Sequence, residues 1–229
     1  MKEKQPVERW LREHPAEVSP VIRNLSSDDL LALDFTARNT ALSSVDLENT
    51  AAFSAWLFEE VLQGKVGMGG YLEDRVIYRR SAHFAGEASR TLHLGVDLWL
   101  AAGTPVYAPL PGTIHSFQDN RGFGNYGPTI IVEHRPEGHT FYTLYGHLSR
   151  ASLLPLSEGQ TVTPDQPLAT IGNFPENGDW PPHLHFQVMT DLLGWKGDFP
   201  GVAALFERET YRQCTIDPML LFRFDGSGD

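Results

Sequence analysis

From about Val76 onward the chain breaks into short β-branched and aromatic runs separated by Gly/Pro turns, and this punctuation restricts the fold more than any other feature. The runs cover 104–107, 112–117, 128–133, 140–145, 160–162, 168–171 and 183–189. Short runs at such spacing predict strands of an antiparallel sheet. Pro109, Pro111 and Pro155 fall between runs, where a missing amide donor does no harm. The expected class is mainly β, α+β overall, with a compact antiparallel core.

The front of the chain has a different texture. Residues 1–65 read as helix-rich, and the clearest helix covers 47–63, where Phe53, Trp56, Leu57, Val61 and Leu62 fall on one face. Gly64 stands where a left-handed cap is expected. Gly67, Gly69 and Gly70 suggest a flexible junction. The division expected is a helical extension over 1–70 and a β-rich domain over 71–229 with an irregular tail. Within that tail 191–212 reads as an insertion, and 219–222 as a run packing back onto the body.

The bulk properties exclude some classes. A formal charge of −11 disfavours a nucleic-acid binder, which needs a basic face to displace counterions. Cys214 is the single cysteine, so neither an internal disulfide nor a thiolate cluster is expected. No run approaches the roughly 18 apolar residues of a membrane span. The stretch Met1–Pro6 lacks the apolar core of an export signal, and the expectation is a cytoplasmic protein.

Chemistry concentrates in three strings: His93-Leu94-Gly95-Val96-Asp97, Tyr145-Gly146-His147-Leu148 and His183-Leu184-His185. On a strand, His183 and His185 point to the same face, roughly 6.6–6.8 Å apart, while Leu184 and Phe186 face an apolar layer. His93 and Asp97 would lie roughly 13 Å apart on a straight strand, so a shared ion demands a bend, and Gly95 permits one. Catalytic zinc takes three protein ligands and keeps a position for water. Five candidate groups exceed that need, which leaves two imidazoles to move protons or steady an oxyanion. Hydrolysis of a peptide or amide bond is the reaction class that fits.

These strings resemble the lysostaphin/LytM-type zinc metallopeptidases, with their H-x-G-x-D and H-x-H signatures. The likeness runs from about His93 to Val188. It takes in 103–109, Gly112-Thr113-Ile114, Tyr126-Gly127, Tyr145-Gly146-His147-Leu148, Gly159 and 182–186. The resemblance implies a LytM-type β core and one Zn²⁺ per chain on His93, Asp97 and His185, with His147 and His183 as the catalytic pair. It implies a peptide or peptidoglycan-derived substrate. Tyr126, Tyr145 and Trp180 flank the signatures as candidate groove walls, and His134 is a candidate support for the ligands. Glu176 and Asp179 could orient an imidazole. His83, His115 and His139 read as ordinary surface histidines, and Arg79 with Arg80 as a solvated pair. Two rivals remain: a non-catalytic module of this fold and an intracellular zinc amidase for a small metabolite. Residues 1–65 could dock a partner or cover the groove, and the oligomeric state is not readable.

Overall fold

The computed structural model describes residues 4–84 and 89–224; Met1, Lys2 and Glu3 of the N-terminal stretch lie outside them, as do 225–229. The strands among the described residues are β1 (Leu30–Leu33), β2 (Val66–Gly69), β3 (Arg90–His93), β4 (Val96–Trp99), β5 (Pro105–Tyr107), β6 (Gly112–Asn120), β7 (Gly127–His134), β8 (Phe141–Gly146), β9 (Thr161–Val162), β10 (Pro167–Thr170), β11 (His183–Met189), β12 (Val202–Ala204) and β13 (Thr215–Ile216). The main sheet has the order β1-β2-β4-β11-β8-β7-β6-β9, with β13 pairing the far end of β11. Only β1 and β2 run parallel. Two-stranded ribbons join β5 to β10 and β3 to β12. The chain is mainly β, as its punctuation predicts.

β11 lies between β4 and β8, so both its edges are paired, and every residue in it is buried. Strand alternation then sorts its side chains. Leu184, Phe186 and Val188 enter the main core with Val96, Leu98, Ile130, Val132 and Tyr145. The opposite face carries His183, His185 and Gln187. Register places Asp97 beside His185 and Trp99 beside His183.

The front of the chain departs from a purely helical extension. α1 (Lys4–Glu13) is a helix, and α2 (Thr50–Ala55) runs on as a π-helical stretch over Trp56–Leu62. Asn49 caps this helix by accepting the Ala52 amide at 3.1 Å. The left-handed turn at its end begins at Gln63, with φ 47°, one residue before Gly64. β1 and β2, however, extend the sheet from β4. Gly67 and Gly69 therefore sit inside a strand rather than in a flexible junction. A Cβ on Gly67 would lie 2.6 Å from Leu33 and 3.2 Å from the Trp99 Cβ. Close packing, not freedom, selects glycine there.

The front also shares cores with the rest. Val7, Trp10, Leu11, Val18, Val21, Ile22 and Leu25 join the main core, as do Leu221 and Phe222 near the C-terminus. Phe35, Leu42, Phe53, Leu57 and Leu62 form a second core with Ile77, Tyr78, Phe84, Trp99 and Trp180. The 191–212 stretch is not wholly irregular, since it contributes β12 and α3 (Arg208–Arg212). Cys214 is a buried free thiol. No helix among the described residues is long and apolar enough to cross a membrane.

Candidate metal centre

Three ligand-type atoms meet at the end of β3, on β4 and on β11. His93 Nε2 lies 2.9 Å from His185 Nδ1 and 3.2 Å from Asp97 Oδ1, and the last two are 3.0 Å apart. The bend between His93 and Asp97 falls at Leu94-Gly95, where β3 ends and β4 begins. Glycine is needed there for room rather than for unusual angles: a Cβ on Gly95 would lie 2.7 Å from the His185 ring and from the Phe186 carbonyl.

The protons on the two rings can be assigned from their other partners. His93 Nδ1 lies 2.9 Å from the Gly70 carbonyl, which only accepts, so Nδ1 carries the proton and Nε2 a lone pair. Gln187 donates through Nε2 to the Pro200 carbonyl at 3.3 Å, so its Oε1 accepts from His185 Nε2 at 3.1 Å. His185 Nδ1 is then bare. Two nitrogen lone pairs and a carboxylate oxygen thus face one another with no proton between them, an arrangement that repels itself unless a cation sits among them. Tetrahedral ligands at about 2.0–2.1 Å from zinc lie about 3.3 Å apart, close to the spacing found. The donor set fits zinc.

Electrostatics agree with that assignment. Burial raises the Asp97 carboxyl, but His93 and the Arg75 guanidinium outweigh it and hold the group well below the usual carboxylate range. Burial, aided by Arg75, pushes His93 down to about 3, so it is neutral at pH 7.

His147 and His183 form a separate pair with ring centroids 4.1 Å apart. His147 follows β8 with φ 61°, a left-handed conformation costing a β-carbon residue about 1–2 kcal/mol. Its amide donates to the Tyr126 carbonyl at 2.9 Å, which anchors the turn. Its Nδ1 donates to the Asn177 carbonyl at 2.7 Å, and His183 Nδ1 to the Pro181 carbonyl at 2.8 Å. Both Nε2 atoms are left as acceptors. Burial lowers both rings, His183 to about 4 and His147 well below its ordinary value, the latter helped by His183. Trp99 stacks on His183 at 4.0 Å between ring centroids.

A cleft beside these groups is lined by Tyr78, Phe84, Tyr126, Trp180, His83 and Arg75, among others. Tyr126 and Trp180, the groove-wall candidates, line this cleft, and the Tyr126 hydroxyl lies 3.3 Å from His185 Nε2. Tyr145 is not a wall. It pairs in register with Phe186 and so shares its core face. His134 fails as a ligand support for the same reason, since it pairs with Phe141 and points to that face. Its ring bonds the Pro111 carbonyl and Thr143 instead.

Neither Glu176 nor Asp179 orients an imidazole through its side chain. Glu176 accepts the Arg150 amide at 3.1 Å, and Asp179 accepts Thr50 through its carbonyl at 3.0 Å. His115 bonds Ser116 away from the cleft, whereas His83 reaches the cleft edge. Arg79 is exposed, but Arg80 is buried, its guanidinium 4.6 Å from the Trp180 ring centre.

Three contributors were not legible as site residues. Asn177, buried, holds the 172–180 loop by bonding Gly172 and Trp180. Gln187 fixes the His185 tautomer. Arg75 bonds the metal-ligand candidate Asp97. Gln187 lies two residues beyond His185 on the same strand face, a signal that period-two reading could have used.

Comparison with known proteins follows the same residues. Residues 91–196 match the model of peptidase family M23. A relative from Haemophilus influenzae, described as an uncharacterized metalloprotease, is 34% identical over 95 residues, 42% of this chain and 18% of the relative. The match therefore spans less than a fifth of that relative's length. A zinc-containing peptidase from Vibrio cholerae is 27% identical over 43% of this chain and 27% of its own, with a TM-score of 0.33. The catalytic domain of the antimicrobial peptidase lysostaphin from Staphylococcus simulans is 23% identical over 59% of this chain and 83% of its own, with a TM-score of 0.39. The three ligand-type residues and the histidine pair all lie within residues 91–196, the segment that matches the model of peptidase family M23.

Proposed function

We propose that this protein is a zinc metalloendopeptidase hydrolysing a peptide bond in peptidoglycan or a peptidoglycan-like peptide. One zinc would be held by His93 Nε2, Asp97 Oδ1 and His185 Nδ1. The observation that carries this reading is the cluster of bare acceptor atoms, at most 3.2 Å apart, beside a second pair of imidazoles with free Nε2 atoms. The signature strings support the substrate class.

When bound, zinc supplies a Lewis acid for the scissile carbonyl and a water whose pKa falls toward about 7. The remaining work falls to His147 and His183. Each is fixed by its Nδ1–H bond to a carbonyl and offers Nε2 to a proton. Two imidazolium ions with ring centres 4.1 Å apart would repel, so the pair holds one proton at a time. The ring that takes the water's proton can then steady the oxyanion and pass the proton to the leaving amine. Tyr126 and Trp180 flank the substrate.

The test uses two single variants, zinc content and release of soluble muropeptides from purified sacculi. His183→Ala keeps zinc and loses hydrolysis, whereas His185→Ala loses both. Equal zinc loss in the two variants overturns the division of roles, and an active parent that spares sacculi but cuts small peptides overturns the substrate.

A further inference from the structure

We propose that Arg75, which lies outside the family-matched segment, is a positioning residue for Asp97. It occupies the outer carboxylate oxygen, Oδ2, and so presents Oδ1 alone to the metal. This inference rests on the metal-centre reading above.

The Arg75 side chain is fully buried. Its Nη1 bonds Asp97 Oδ2, and its Nε bonds Glu73 Oε2 at 2.7 Å. Nη2 points to the Gly70 carbonyl at 3.4 Å, the same carbonyl that orients the His93 ring. Space for the guanidinium comes from Gly69, where a Cβ would lie 2.4 Å from Nη2. One guanidinium and one carbonyl therefore constrain two of the three candidate ligands.

The backbone fixes Arg75 as firmly as its side chain does. Residues 72–75 run beside β3: the Leu72 amide donates to the His93 carbonyl at 2.8 Å, the His93 amide to Glu73 at 2.9 Å and the Arg75 amide to Thr91 at 2.9 Å. Arg75 is thus registered to the strand that ends in His93.

A lone guanidinium beside a dication would oppose metal binding. Glu73 offsets that charge and is itself held, its Oε1 accepting the Phe35 amide at 3.1 Å. The near-neutral Arg75–Glu73 pair leaves orientation as the dominant effect. A carboxylate with both oxygens free can rock between one-oxygen and two-oxygen contact with a metal; one whose second oxygen is held cannot.

The test compares the full chain with Arg75→Met, Arg75→Lys and Glu73→Gln, reading the zinc dissociation constant by competition with a chromophoric chelator. The melting temperature of each metal-free protein is measured alongside. Losing such an outer partner weakens metal binding by about 10–100-fold, and that is the expectation for Arg75→Met. Arg75→Lys recovers part of the affinity, because an ammonium can still reach Oδ2 but not grip Glu73 as well. Glu73→Gln weakens zinc through the uncompensated cation. A purely structural role would lower the metal-free melting temperature and leave the dissociation constant alone. Zinc affinity within about twofold of the parent in the Met variant overturns the proposal; should that variant fail to fold, unchanged affinity in both others does so. If the parent itself binds no zinc, the metal-centre reading falls first and takes this one with it.

Discussion

Gly95→Ala is the sharpest test of how the ligands are brought together. The added methyl carbon would lie 2.7 Å from His185 Cε1, His185 Nε2 and the Phe186 carbonyl oxygen, where ordinary contact begins at 3.4 Å. Something must therefore move by about 0.7 Å, in a core whose packing density leaves little slack. The carbonyl is poorly placed to yield, because β11 is paired on both sides, to β4 and β8. The His185 ring must tilt instead, and its Nδ1 leaves the lone-pair cluster. Overpacking of this kind costs about 1–3 kcal/mol. For a chain of this size each kcal/mol shifts the melting temperature by about 2–4 °C, so the drop is about 2–12 °C. Calorimetry of the metal-free chain reads the first effect, and chelator competition reads the accompanying loss of zinc affinity. A Gly95→Ala protein that melts with the parent and binds zinc equally well would refute this reasoning.

Phe53 is fully buried, 6.0 Å from the Trp99 ring that stacks on His183, so Phe53→Ala should cost about 3–5 kcal/mol of stability in urea unfolding. A loss below about 1 kcal/mol would mean that the front of the chain does not support that wall. Burial pushes His134 from 6.5 down to about 4, so the native state holds it neutral while the unfolded chain takes up a proton. Its contribution is fully present above pH 6.5 and is lost as pH falls toward 4, on the order of 3 kcal/mol. His134→Gln should flatten the stability profile across that window, and an unchanged slope measured by urea titration would sink the assignment.

Much of this centre could be read from the sequence because its logic is local. His183 and His185 share a face by strand periodicity, and the bend at Gly95 follows from the distance that His93 and Asp97 must close. Tyr145 and His134 were misplaced because closeness to a signature in sequence says nothing about side. The face is set by register, which pairs Tyr145 with Phe186 and His134 with Phe141. Arg75 was hidden for a different reason. Its partner Asp97 is 22 residues away on β4, while Arg75 lies outside any strand, so no local spacing announces the pair. Gly67 and Gly69 show the same limit: a glycine chosen for close packing looks in sequence like one chosen for mobility.

The neighbours of β4 bear on where this protein can be cut. On one side β4 meets β11, and on the other β2, which is in turn paired with β1. A fragment trimmed to the family-matched residues would strip both outer strands and leave Asp97 on a raw edge, its amides and carbonyls free to recruit a second copy. The family match thus starts at residue 91, whereas the sheet that holds Asp97 already includes β1 from Leu30. Grafting residues 91–196 onto another protein would mean carrying the front of the chain along with them.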